Sequence, residues 1–181
     1  MKTIFTLILK TFVGANLPEP LLEICGPMID ASIKLYNTLL KELLPTPTKP
    51  HYTFNMRDLA AVVQGVLYAD TKTVLEPADF CRIWAHENLR VFRDRLVNDD
   101  DRAWFDGVLK GLVPEVLGND VSWDDVVKVE MSHLLYGDFM VPGAETRIYG
   151  EITDTSKMVA VVEECLEDSN GTRTKKMPLV M

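Results

Sequence analysis

The sequence predicts a mainly α-helical protein, a bundle of amphipathic helices up to about Val113 followed by a short mixed α/extended C-terminal extension. Three observations carry that reading. Apolar residues recur at spacings of three and four through the first two-thirds of the chain. Helix-start signals precede those runs, among them Asn55 with Asp58 three residues on, and Pro77. Past Val113 the helical segments shorten, and glycines stand at 118, 137, 143 and 150.

The elements follow in order. Ile4, Leu7, Ile8 and Phe12 fall on one face of a first helix that should fade before Pro18. Gly26 and Pro27 read as the entry to a second, because proline in a first turn loses no hydrogen bond. Ile29, Ile33, Tyr36, Leu40 and Leu43 give it an apolar stripe, which Pro45, Pro47 and Pro50 end. Asn55 can cap a third helix, with Asp58 completing a capping box and Leu59, Val62, Val63, Val66 and Leu67 as its buried face. Pro77 opens a fourth, running to about Val97, whose inner face draws on Phe80, Ile83, Trp84, Val91 and Phe92. The acidic run at 98–101 starts a fifth, with an aspartate at the cap and Trp104, Phe105, Val108 and Leu112 facing inward. Ser122 with Asp125 marks a short helix, and LLYGDFMV and TRIYGEI are brief strands or extended loops. Thr155 caps a last helix carrying Met158, Val159, Val162 and Leu166.

Composition narrows the function classes. A 47% hydrophobic and 25% charged chain has the make-up of a globular protein rather than a disordered one. A net charge of −8, with no lysine- or arginine-rich run, lacks the basic footprint that nucleic acid or an acidic membrane surface requires. The apolar start from Thr3 to Leu9 is interrupted by Lys10 and followed by no small-residue cleavage site, so it does not read as a signal peptide. Cys25, Cys81 and Cys165 are odd in number and far apart, which suits a reducing, intracellular compartment.

Few motifs carry chemistry. HENLR, from His86 to Arg90, has Arg90 where a zinc-protease helix needs its second histidine. His86, Glu87, Arg90 and Asp94 read better as a partly buried polar cluster at helical spacing. NDDDR lacks the central glycine and closing glutamate of a calcium loop, so helix capping explains it. There is no nucleophile elbow and no Gly-Lys-Ser/Thr phosphate loop. No catalytic or metal-binding residue is expected. Arg57 is the exception worth weighing. At the second position of a helix, where the dipole favours anions, its guanidinium could clamp a phosphate, or could simply pair with Asp58 or another carboxylate.

A resemblance favours the first of these. HYTFNMRDLAAVVQGV followed by RIWAHENLRVFRDRLVNDDDRAWF resembles the heavy chain of dynein, in the small helical subdomain of its third AAA+ module. The preceding LLPTPTKP fits the same pattern. The tail, MVAVVEECLEDSNGTRTKKMPLVM, is similar to the entry into the fourth module, and Asn-Met-Arg-Asp beside His-Tyr-Thr-Phe is closer to the axonemal than the cytoplasmic chains. The likeness is weakest between about Val113 and Tyr149.

The resemblance implies a helix leading out of a large subdomain (1–16), a helical lid (17–113) and an extension toward the next module (114–181). It places Arg57 at the sensor-2 position, facing a nucleotide's terminal phosphate. ATP or ADP would be bound only in the intact motor, mainly by residues outside this chain, and by none of the fragment alone. The ATP-hydrolysing engine would likewise lie elsewhere. The implied partners are the rest of the heavy chain (the large subdomain and the next module), and, through the intact motor, microtubules and other dynein subunits. The implied location is the cytoskeleton, in the axoneme of a cilium or flagellum. The apolar run that ends the chain is expected to be an interior point of a longer polypeptide. The competing expectation is a free-standing helical adaptor that binds another protein.

Overall fold

In the computed structural model, which describes residues 1–172 and 177–178, seven helices and a two-strand ribbon account for the described regular structure. The helices are α1 (Lys2–Asn16), α2 (Leu21–Glu42), α3 (Met56–Val66), α4 (Pro77–Val91), α5 (Asp99–Leu117), α6 (Trp123–Val126) and α7 (Thr155–Gly171). Short 3-10 turns, Arg93–Arg95 and Met131–His133, follow α4 and α6, and β1 (Tyr136–Gly137) pairs antiparallel with β2 (Gly150–Glu151). Positions 179–181 of the apolar chain end lie outside the described residues.

The long helix α2 lies at the centre, packed against α1 on one side and α5 on another, while α3 packs chiefly on α4. Its buried stripe is Leu21, Cys25, Met28, Ile29, Ser32, Leu35, Tyr36 and Leu39. That is the expected periodicity rotated by part of a turn, so that Leu40 is exposed and Ile33 and Leu43 are only half-buried. The helix also begins six residues before Pro27. Pro27 removes one interior hydrogen bond, a loss of about 3 kcal/mol in an isolated helix. Complete burial of Leu21 and Cys25 in the first turns offsets it.

Helix α1 departs from the expectation too. Phe5, Leu9, Phe12 and Val13 face the core, whereas Ile4, Leu7 and Ile8 are exposed. The segment is apolar almost all round, so periodicity does not choose a face; the partner α2 does.

Helix α3 follows its reading closely, burying Leu59, Val62, Val63 and Val66. In α4 all five expected residues are buried, although the α-helix ends at Val91 and passes into the 3-10 turn. Trp84 fixes α4 to α2: its indole N–H donates to Ser32 Oγ at 2.8 Å, and Ser32 Oγ donates to the Met28 carbonyl. Helix α5 has Asn98 at its cap with Asp99, Asp100 and Asp101 in the first turn, and runs past Val113 to Leu117. Phe105 and Leu112 are buried there, Trp104 and Val108 only partly. Asp154, rather than Thr155, caps α7 through the Lys157 N–H.

The 134–152 segment is not a loose appendage. Leu134 and Ile152 are buried, Tyr149 forms a parallel bridge with Ala69, and Thr73 Oγ1 donates to the Tyr149 carbonyl at 3.1 Å. An Arg82–Glu151 ion pair ties the ribbon to α4.

Candidate functional site

The proline-braced stretch before α3 folds back on itself and is then nailed down. Thr46 and Lys49 form a one-residue antiparallel bridge, and Tyr52 N–H donates to the Lys49 carbonyl. Prolines restrict the unfolded chain at 45, 47 and 50, so less entropy is lost in fixing this course. Lys49 Nζ reaches Asp101 Oδ2 at 2.5 Å and Asn98 Oδ1 at 3.2 Å, at the start of α5. Its ammonium pulls the Asp101 carboxyl below the usual range; burial opposes that shift, and the bonds from Lys49 and Tyr52 together outweigh it. Tyr52 is buried; its hydroxyl donates to Asp101 Oδ2 at 2.8 Å and accepts from Val97 N–H at 2.9 Å. Phe54 packs edge-on against Phe92, with ring centroids 5.9 Å apart.

These anchors deliver the chain to Asn55 in an extended conformation (φ −141°, ψ 174°), as an N-cap requires. Asn55 Oδ1 accepts from the Arg57 N–H at 2.8 Å, and Asp58 Oδ2 accepts from the Asn55 N–H at 2.8 Å. The capping box read from sequence is present. It also consumes the Arg57 amide, so anion recognition here would fall to the side chain and the helix dipole rather than to that N–H.

Arg57 itself is exposed. Among the described residues its guanidinium makes no hydrogen bond or ion pair, and the neighbour expected to compete for it is taken. Asp58 gives Oδ2 to the cap and Oδ1 to Arg95 Nη1 at 2.8 Å. Arg95 was not visible to sequence reasoning, because it lies 37 residues from Asp58 and no local spacing joins them. It also donates to the carbonyls of His51 at 3.3 Å and Thr53 at 3.4 Å, and lies over the Phe54 ring at 5.1 Å.

Of the polar cluster expected from His86 to Asp94, the Glu87–Arg90 pair is formed, with a partner that spacing did not supply, whereas Asp94 lies beyond α4 and is exposed. Arg90 forks onto Glu87 Oε2 at 2.9 and 2.7 Å, and the hydroxyl of Tyr149, from the ribbon, donates to Glu87 Oε1 at 2.5 Å. Both Glu87 oxygens therefore have protein partners, and its side chain is 1% exposed. His86 Nδ1 donates to the Leu134 carbonyl at 2.9 Å, and burial lowers its pKa from 6.5. Partial desolvation raises the Asp94 carboxyl, against the opposing charge of Arg93. An open cleft of about 490 Å³ lies beside this cluster, lined by Gln64 and Gly65 of α3, by Tyr68 just after it, and by Glu87, Tyr136 and Tyr149.

Comparison with known proteins fits this geometry. The AAA+ lid domain family matches residues 28–128, a span that includes the brace, α3, α4 and α5. The chain is 41% identical over 191 aligned positions to dynein axonemal heavy chain 1 of Mus musculus, covering 99% of the chain and 4% of that protein. It is 47% identical over 155 positions to dynein axonemal heavy chain 1 of Homo sapiens, covering 86% of the chain and 4% of the relative. It is 35% identical over 182 positions to human dynein axonemal heavy chain 6, covering 99% of the chain and 4% of the relative. The chain thus spans about one twenty-fifth of the length of these relatives. It belongs to the AAA+ lid domain family, in the form carried by the heavy chains of axonemal dynein.

Proposed function

We propose that this chain is the non-catalytic lid of the third AAA+ module in an axonemal dynein heavy chain, with Arg57 as its nucleotide sensor. The observation that carries the reading is an exposed guanidinium without a partner among the described residues, on a helix start whose own carboxylate is committed elsewhere. Such an arginine breaks no ion pair among the described residues when it meets a phosphate, its fixed backbone saves backbone entropy, and its planar fork can form two parallel bonds for the rotamer freedom it gives up. In the intact motor the nucleotide, held mainly by residues outside this chain, would supply that phosphate.

The exposed row Ile4, Leu7 and Ile8 on α1 supports a lid that packs against more of the heavy chain, the large subdomain of its own module. On this reading the bundle turns as one body when the Arg57 contact forms or breaks, and the 114–181 extension passes that turn to the fourth module. The setting is microtubule-based movement in the axoneme.

The test is Arg57→Ala in a heavy chain with the whole module present. Charge-assisted bonds of about 1.5–3 kcal/mol make the expected loss in triphosphate affinity roughly ten- to a hundred-fold. ADP affinity should change much less. Unchanged triphosphate affinity would remove the sensor role and leave a helical interaction module.

A further inference from the structure

We propose that Arg95 is the positioning residue that aims Arg57, by clamping the extended 51–55 segment and the first turn of α3 to the end of α4. The inference rests on the reading of Arg57 as a phosphate sensor, and adds how its direction is held. Among the described residues Arg57 has no partner to orient it, so its aim depends on the backbone from which it springs. The segment before it belongs to no helix or sheet. What fixes that segment is a set of side-chain contacts, in which Arg95 acts beside the buried rings of Tyr52 and Phe54.

One guanidinium serves four features at once. Its Nη1 holds Asp58 Oδ1, while its Nη2 holds the carbonyls of His51 and Thr53. Its plane covers Phe54, within cation–π range. The tie is returned by His51, whose Nε2 donates to the Arg95 carbonyl at 3.2 Å. Asp58 is also half of the capping box, so Arg95 holds the carboxylate that in turn holds the Asn55 amide.

The base from which Arg95 reaches is rigid. Phe92 and Leu96, on either side of the 3-10 turn, are fully buried. Arg93 in the same turn forks onto Asp106 of α5, at 2.7 and 3.0 Å. Planarity and five donors make this specific to arginine. A lysine in its place would carry the same charge but could not span Asp58 and two carbonyls in the same fork.

The experiment uses a heavy chain with the complete module, compared as wild type, Arg57→Ala, Arg95→Ala, Arg95→Lys and the Arg57→Ala/Arg95→Ala double variant. A slowly hydrolysed ATP analogue and ADP are the probes, and hydrogen exchange at the amides of residues 55–59 is read in parallel. Arg95→Ala should weaken the triphosphate analogue about ten-fold and speed that exchange several-fold. Arg95→Lys should do the same. The double variant should bind no more weakly than Arg57→Ala, because a residue acting through Arg57 has nothing left to aim.

Losses that multiply in the double variant would overturn the inference, as would wild-type affinity in Arg95→Lys. If Arg57→Ala binds like wild type, the sensor reading fails by itself. The clamp is then judged on exchange at 55–59, where unchanged rates in both Arg95 variants refute it. Should Arg95→Ala fail to fold, Arg95→Lys carries every comparison.

Discussion

Gly65 is the position where the smallest substitution should do the most harm. A Cβ built there would lie 1.9 Å from Glu87 Oε2, 2.1 Å from its Cδ and 2.7 Å from its Cγ. The far end of a glutamate could normally swing aside, but this one is held by Arg90 and Tyr149 and is enclosed. Gly→Ala inside a helix would by propensity alone stabilise by about 1 kcal/mol. Dislodging a buried, bonded carboxylate costs about 3 kcal/mol, the low end of the usual range because Arg90 is half exposed and keeps water as an alternative. Gly65→Ala should therefore destabilise the chain by about 2 kcal/mol. Urea denaturation followed by tryptophan fluorescence measures it, since Trp84 and Trp123 are buried. The same change made in a Glu87→Ala background should reverse sign and stabilise by about 1 kcal/mol. A neutral or stabilising Gly65→Ala in the unaltered chain would refute the reasoning. So would the same loss in both backgrounds, which would place the clash elsewhere.

Tyr149→Phe keeps the ring packing but leaves Glu87 Oε1 without its hydroxyl donor. It should cost about 1–3 kcal/mol in urea, with hydrogen exchange rising in residues 134–152 before the rest of the bundle. His86 sets an acid limit. Burial holds its folded pKa below the unfolded value of 6.5, so the unfolded chain takes up the proton first, and stability falls as pH drops below about 6.5. His86→Gln should flatten the urea midpoint between pH 7.5 and 5.5, a window above the carboxylate range in which Asp94 acts with the opposite sign. The thiols should separate in a timed alkylation read by mass spectrometry. Exposed Cys165 should react first, while Cys25, raised to about 11, and Cys81, raised to about 12, should wait for unfolding.

What could be read from the sequence divides by distance along the chain. The Asn55–Asp58 and Ser122–Asp125 capping boxes were legible because each is complete within four residues. The inner face of α4 was legible because its polar and apolar residues alternate at helical spacing. Helix α1 was legible as a helix but not as a face, since Thr3–Leu9 offers apolar residues in every direction. The start of α2 was misplaced because a local rule puts proline first, and burial of Leu21 and Cys25 overrides it. Arg57 was singled out by its place at a helix start, yet its freedom from Asp58 depends on Arg95, 37 residues away from that carboxylate. The Glu87–Tyr149 bond spans 62 residues, and no periodicity could join them.

Those two long-range bonds have a joint consequence for α3. Near its start the helix is tied through Asp58 to Arg95 in the 3-10 turn that follows α4, and near its close Gly65 lies against Glu87 of α4. At a rise of about 1.5 Å per residue, Arg57 and Gly65 are only about 12 Å apart on one rod. Both ends are thus referenced to α4, and side chains of α4 (Arg82, His86 and Glu87) hold the ribbon segment. A tilt imposed at Arg57 finds little slack in α3 to absorb it, because the helix would have to break the Arg95–Asp58 bond at its start or lose the close packing of Gly65 on Glu87 near its end. The movement instead takes α4 with it, and through Tyr149, Leu134 and Glu151 it takes the ribbon. On the proposed function, this makes α3, α4 and residues 134–152 the stiff part of the lid, and puts the compliance in the contacts around it.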